Sequence, residues 1–453
     1  MEPVRADVVV VGAGFAGLSA AVRLADRGRR VVVVEEAPRL GGRATAFVDR
    51  DTGDRVDNGQ HVLFGCYRET YAFLGRLGTS HLAPLQSSLS VTMANGSGRR
   101  ATMKCPAWRP PWQLIGGVLS WRAVPLADRL TAMRLAPLLR RVRRDGAAAV
   151  AARVPATETV SSWLAAHGQS PRLCDWLWFP LAVAALNQDP STAAAAPFVR
   201  VLGELFGPRP EDAAIGLASV PLDELYAEPA RRFIEARGGT VLTKAAASVS
   251  LDDDGRVSHV DAGSARIDAR AVVVAVPWHA FDRLWARGVP AVMAETASRA
   301  AAMTSSPIVT VNLWFDGPVM RESFVGLVGG PMHWVFDKSA IFGAAAGHLS
   351  IVSSGAGAIA RLENAELTDL ARHQVTEALP EAHSRRLVRS LVVREHRATF
   401  SLAPGAPARP TTRTPLARVV LAGDWTDTGL PATIEGAVLS GHRAAEAILA
   451  LGA

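Results

Sequence analysis

Gly12, Gly14 and Gly17 stand in a Gly-x-Gly-x-x-Gly spacing, and Glu35 follows 23 positions after Gly12. Small residues at this spacing let backbone N–H groups close on a diphosphate at a helix N-terminus, where the dipole favours anions. An acid placed like Glu35 accepts hydrogen bonds from ribose hydroxyls and repels a 2′-phosphate, which disfavours NADP. A second element, Arg39-Leu-Gly-Gly-Arg43, comes next. Its paired glycines suit a loop closing over a pyrophosphate, and Arg43 supplies a charge-assisted phosphate contact. Behind a Rossmann-type unit, this second element separates FAD-binding chains from NAD-binding ones.

Such chemistry needs a strand, a tight turn and a helix in that order. Asp7–Val11 is a continuous apolar run, the pattern of a strand buried on both faces of a parallel sheet. Helical spacing through Leu18, Ala21, Val22 and Leu24 follows, then a turn at Arg27-Gly28 and a second buried strand, Arg30–Val34. Further strands are expected at Ala269–Val276, stopped by Pro277, and at Arg418–Ala422, with a final Ala-rich helix near Glu435–Leu449. The fold class is α/β with α+β inserts. A discontinuous cofactor domain (1–80, 220–280, 390–453) is interrupted twice by a substrate domain (81–219, 281–389). Val309–Phe315 and Met332–Asp337 read as strands of that second domain, 405–414 as a loop, and Trp176, Trp178 and Phe179 as core.

With Asp57-Asn-Gly-Gln-His61, Gly423-Asp424, Glu435-Gly436-Ala437 and Ser440-Gly441 added, the chain resembles the flavin amine-oxidase/phytoene-desaturase superfamily over most of its length. Three stretches, DNGQHVLFGCY (57–67), LAVAALNQDP (181–190) and AGDWTDTGLPATIEGAVLSG (422–441), are similar to the hydroxysqualene dehydroxylase family within it. The resemblance implies a Rossmann-type FAD-binding domain of the glutathione-reductase/amine-oxidase kind. It places Gly12, Gly14, Ala16, Gly17, Gly42 and Arg43 at the diphosphate and Glu35 with Glu36 at the adenosine ribose. Asn58, Gly59 and Gln60 would pass the flavin ring, Gly423 and Asp424 would hold the ribityl or diphosphate end, and the helix beginning at Glu435, Gly436 and Ala437 would aim its N-terminus at the flavin. Two positions depart from the pattern. Ala37 replaces a frequent basic residue, and Ala247 stands where relatives commonly place a Val against adenine.

Tyr67, Tyr71 and Tyr226 are the chain's three tyrosines, and none falls in the C-terminal flavin segment, which argues for a hydrocarbon rather than an amine substrate. That segment has no cysteine, so the flavin is expected to be non-covalent. The resemblance implies loss of an allylic hydroxyl from hydroxysqualene, with hydride from reduced FAD, on the way to hopanoids. The leaving oxygen then needs a proton donor. His61 is the first candidate, because imidazole titrates near neutrality, followed by Asp427 and Asp57. The rival activity is a carotenoid or phytoene desaturase, with hydride moving the other way. A rival of another class is a non-catalytic prenyl-lipid carrier, against which Glu35, Arg43 and Asp424 speak.

The chain has 453 residues, enough for two or three folded units, and 49 basic against 42 acidic residues. Eleven of the basic residues and one acid, Asp128, fall between Gly98 and Arg144, interleaved with Trp108, Trp112 and Trp121. This is the composition of an interfacial membrane anchor rather than of a nucleic-acid module. Leu130, Met133, Leu135, Leu138 and Leu139 are expected to line or gate a lipid-facing tunnel. Cys66, Cys105 and Cys174 offer no CxxC pair, so no metal site is expected, and a reducing cytoplasmic setting follows. The apolar run Val8–Val22 is broken by three glycines and is read as folded structure, not a leader. Localisation is therefore expected to be cytoplasmic, peripheral on the inner face of the cell membrane. The oligomeric state is left open.

Overall fold

In a computed structural model describing residues 4–344 and 346–452, the four-valine runs build the first sheet. Val4–Val11 lies between Val31–Val34 and Ala265–Val274, all parallel, with Val8 opposite Val31 and Val11 opposite both Val34 and Val274. Thr240–Leu242 and Val419–Leu421 extend the parallel part, and the hairpin Ala247–Leu251 and Val257–Ala262 closes one edge. Val8–Val10, Val31–Val34 and Val272–Val274 are buried because helices and packed side chains cover both faces. Helices Phe15–Asp26 and Ile434–Ala450 pack on one face. A Cβ on Gly441 would stand 2.2 Å from the Ala16 carbonyl oxygen, so glycine sets how closely these two helices approach.

A second seven-stranded sheet runs Leu387–Phe400, Ser305–Phe315, His348–Ser354, Trp334–Asp337, Phe324–Val328, Ser90–Asn95 and Arg100–Lys104. Val309, Val311 and Leu313 pack against helix Asn364–Ala378, while Ile308, Phe336 and Val352 face an internal cavity. The run Val309–Phe315 is buried at every position, not alternately exposed, because both faces are covered. The domain boundary expected at 390 is displaced: Leu387–Phe400 pairs along Ser305–Phe315 and belongs to the second sheet. A helical segment, Trp112–Leu205, closes the far end of the cavity.

Candidate active site

One cavity of about 950 Å³ runs from the glycine turn after the first strand to the helical segment. At its polar end, helix Phe15–Asp26 begins at Gly14 with no side-chain cap, so its first N–H groups face the cavity unclaimed by a protein side chain. Gly12 has φ +102°, and a Cβ there would meet the Ala275 carbonyl oxygen at 2.7 Å. Gly17 does a different job from the phosphate contact expected of it. Its Cβ would lie 1.9 Å from the Gly12 carbonyl oxygen, and it does not line the cavity; it lets the helix sit on the turn. Gly14 and Gly42 line the wall side by side, and a Cβ on Gly14 would meet nothing closer than 3.9 Å.

The Glu35 carboxylate accepts from Ala13 N (2.8 Å) and Ala37 N (2.9 Å), which fixes it at the cavity rim with lone pairs to spare. Ala16, Glu36 and Ala245–Ala247 share that wall. Arg43 donates to the Asp424 carboxylate (2.5 Å) and the Ala398 carbonyl (2.8 Å) and lies over Trp278. Burial alone would depress its pKa, but the Asp424 carboxylate outweighs it and raises the value further. Asn58 clasps the glycine loop by donating to the Arg43 carbonyl at 2.6 Å. Asn58, Gly59, Gln60, His61, Gly423 and Asp424 all line the cavity. The structure thus brings together residues that sequence spacing separates by up to four hundred positions. An uncapped helix N-terminus, a Cβ-free loop, an anchored arginine and a pre-set carboxylate fit a dinucleotide diphosphate and ribose.

Besides Gly17, four expected residues stand elsewhere. The Glu435 carboxylate turns away from the cavity to cap helix Arg68–Leu77, accepting from Glu69 N, Thr70 N and Thr70 Oγ1 at 2.7–3.0 Å. Burial pushes its pKa up against those hydrogen bonds. Gly436 is likewise off the wall, its N–H bonded to Thr433 Oγ1, whereas Ala437 lines it. Asp427 is 58% exposed outside the cavity, where it caps the Gly429 turn. Asp57 is buried behind the wall, paired with Lys338 Nζ at 3.2 Å and accepting from Leu222 N. Lys338 also donates to Gln60 Oε1 at 2.7 Å, so this cation staples the 57–60 loop to the second sheet. Nothing in the local sequence marks Lys338; its partners are some 280 positions away.

His61 does line the cavity. Its Nδ1 lies 3.0 Å from the Gly59 carbonyl, which can only accept, so Nδ1 carries the proton and Nε2 presents a lone pair. Burial lowers its pKa, as do the nearby Lys338 and Arg43 cations, against the opposing pull of Asp57 and the Gly59 carbonyl. Tyr67, set aside in the sequence, reaches the same wall with its phenol pushed well up by burial.

The far end is apolar: Ile115, Val118, Leu119, Met133, Leu135, Leu139, Trp176 and Leu177. Of the five residues expected at a gate, Met133, Leu135 and Leu139 line it, Leu138 is core and Leu130 lies outside, 50% exposed. Trp121 and Trp178 are buried and face the cavity, while Trp108 and Trp112 are 57% and 60% exposed. Among the described residues no metal-binding cluster occurs, and no helix is long and apolar enough to cross a membrane. The three cysteines are buried and off the cavity wall.

This two-sheet architecture with a diphosphate cradle opening on an apolar chamber is that of a flavin-dependent oxidoreductase. Residues 15–449 match the flavin containing amine oxidoreductase family, and the chain belongs to it. Within that family it is similar to hydroxysqualene dehydroxylases from Sinorhizobium fredii (31% identical, covering 98% of each chain) and Rhodopseudomonas palustris (32% identical, 98% of this chain and 99% of that one). A probable zeta-carotene desaturase of Synechococcus elongatus is 24% identical over 98% of each chain. Among solved structures, putrescine oxidase bound to putrescine superposes with a TM-score of 0.71 (19% identical, 99% of this chain and 100% of that one), and cyclohexylamine oxidase of Brevibacterium oxydans with 0.68 (20%, 98% of each).

Proposed function

We propose that the chain removes the hydroxyl of a hydroxylated, squalene-type triterpene reductively, with FAD as non-covalent cofactor, in hopanoid or related triterpenoid synthesis. The observation that carries this reading is the single cavity, which joins a cradle for a dinucleotide to an apolar chamber reaching Leu139 and Trp176. Glu35, poised for an adenosine ribose, favours FAD over a mononucleotide, and the off-wall cysteines agree with non-covalent binding. When bound, reduced flavin would supply a hydride to the carbon that loses oxygen; with a proton joining the departing hydroxyl, the balance is the dehydroxylated triterpene, water and oxidised flavin.

The chain's own residues would hold the apolar tail, exclude water and handle the oxygen. His61 Nε2 accepts the hydroxyl hydrogen in its majority neutral form and donates a proton in its minor imidazolium form. Neither Asp57 nor Asp427 reaches the cavity, so neither is assigned that proton. Trp108, Trp112, Leu126 and Leu130 are exposed on the segment that walls the apolar end, which supports peripheral docking on the inner face of a membrane. Burying each CH2 from water gains ~0.8 kcal/mol, so a chain already in lipid has little apolar driving force to leave it, and a tunnel meeting lipid avoids the aqueous passage. Trp108→Ser/Trp112→Ser should release the protein from vesicles with the flavin spectrum intact; unchanged flotation would remove the docking claim.

Desaturase relatives at 24–26% identity favour the opposite hydride direction as the second reading. Anaerobic mixing of chemically reduced enzyme with hydroxysqualene separates the two. Flavin reoxidation with squalene formed supports dehydroxylation, and a flavin that stays reduced refutes it.

A further inference from the structure

We propose that Arg99, Arg122, Arg129 and Arg172 form a binding site for a phosphate or diphosphate group at the edge of the apolar chamber. With Asn95, Pro125 and Trp176 these four arginines line a bay distinct from the flavin cradle. They come from four separate places: the turn before strand Arg100–Lys104, the loop after Trp121, helix Leu126–Thr131 and the short helix Pro171–Leu173. Sequence shows a diffuse basic stretch. The fold makes part of it converge and adds Arg172 from outside the stretch.

Convergence of four cations is costly unless a counter-charge answers it. Among the described residues the one acid within ion-pair range of the four is Asp128, which reaches Arg172 at 3.8 Å, beyond hydrogen-bond reach, and leaves the Arg172 side chain 70% exposed. Arg129 Nε is buried without a hydrogen-bond partner, while its Nη1 is spent on the Leu119 carbonyl. Arg99 donates to the Arg122 carbonyl at 2.8 Å and rests over Trp176, which holds its guanidinium at the bay. Pre-set, under-used N–H forks are what phosphate oxygens bind bidentately.

Arg129 and Trp176 also line the main cavity, so an anion in the bay would sit against the partition of the apolar chamber. The adjoining helices, Trp112–Ser120 and Leu126–Thr131, carry the exposed Trp112, Leu126 and Leu130. The chemistry recognised is therefore a phosphate oxyanion on an amphiphile. Its source is either an anionic phospholipid headgroup or a soluble organic diphosphate. The site does not depend on the reaction proposed above.

The test uses the flavin-saturated protein, so that the cradle is filled, with inorganic pyrophosphate as probe in titration calorimetry. Arg122→Glu/Arg172→Glu alters the bay, and Arg140→Glu/Arg143→Glu makes the same charge change on the exposed face of helix Ala136–Asp145. The bay pair should weaken pyrophosphate binding about tenfold or more and the outer pair about twofold at most, as expected for directed charge-assisted bonds rather than a general field. The neutral pair Arg122→Gln/Arg172→Gln gives the same reading if reversal disturbs folding. No pyrophosphate binding by the unaltered protein, or equal loss in both pairs, overturns the site. Flotation on phosphatidylcholine vesicles with and without phosphatidylglycerol then separates the sources. Loss of phosphatidylglycerol-dependent flotation in the bay pair alone identifies a headgroup site; retained flotation with lost pyrophosphate binding identifies a soluble diphosphate.

Discussion

Lys338 and Asp57 make a test of what holds the 57–60 loop at the cavity wall. Both are buried, their charges 3.2 Å apart, and Lys338 is also bound to Gln60 on the cavity wall. At an effective dielectric of ~20, two unit charges at that distance attract by about 5 kcal/mol before desolvation is subtracted. Burial depresses the lysine pKa and Asp57 opposes it, so the ammonium depends on its partner. Lys338→Met leaves the Asp57 carboxylate buried with a single neutral donor, Leu222 N, and should cost about 3–5 kcal/mol. Adding Asp57→Asn removes the stranded charge and keeps an acceptor for Leu222, so the double variant should recover about 2 kcal/mol of that loss. Urea unfolding of both variants beside the parent, with flavin content measured on the same samples, gives the two differences. A Lys338→Met cost under about 1 kcal/mol, or a double variant no more stable than the single, would refute the stapling role.

The three remaining predictions concern the cradle, the proton and acid stability. Gly17→Ala puts a methyl 1.9 Å from the Gly12 carbonyl oxygen and should yield protein without flavin absorbance, whereas Gly14→Ala, with 3.9 Å of room, should keep its Tm and lose flavin affinity; equal behaviour of the two would contradict their separate roles. If His61 donates the proton, kcat/KM should climb as pH falls from 8 toward and below 6.5, about tenfold per unit while imidazolium is scarce, and His61→Gln should flatten that limb; an unchanged limb in the variant assigns the proton elsewhere. His348 is buried, stacked on Trp314, bonded through Nε2 to Asn312, and pushed down to about 4 by burial, so its neutral form contributes stability that is complete above the unfolded value of ~6.5 and is lost as pH falls toward 4. At pH 5 that loss is about 2 kcal/mol, and His348→Gln should show a shallower fall in urea midpoint between pH 7 and 5 than the parent.

The cofactor half of the fold was legible because its signals are local. Val8–Val11, the glycine turn and Val31–Val34 fall within one unit, and periodicity and spacing suffice to read it. The second sheet was half-legible: its strands show in composition, but Leu387–Phe400 joined it through pairing with a strand some eighty positions earlier, which no local pattern reports. At the site, residues whose backbone lines the cradle were placed by spacing. Residues judged by side-chain chemistry were not. Asp427, Asp57 and Glu435 were plausible acids in the right segments, but strand and helix phase turned their carboxylates to a surface turn, a buried lysine and a neighbouring helix N-terminus. Lys338 and the convergent arginines depend on tertiary approach, so composition could show their charge and not their partners.

The division of the cavity limits where specificity for hydride direction can reside. On the proposed function, the cradle around Gly14, Arg43 and Glu35 and the apolar wall of Val118, Leu139 and Trp176 would serve either direction equally, since both reactions need a flavin held against an alkyl chain away from water. What differs is the direction of the proton: dehydroxylation must protonate a leaving hydroxyl, whereas desaturation, which takes a hydride from one carbon, must pass the proton of the adjacent carbon to a base. A polar group at the reacting carbons therefore acts as an acid in one reaction and as a base in the other. His61 lines the cavity, hydrogen-bonded to Gly59 through Nδ1 and biased toward its neutral form, and is the candidate for that group. An acid at His61 makes kcat/KM rise as pH falls and a base makes it rise with pH, so the sign of the limb lost in His61→Gln tests the direction of the reaction as well as the residue.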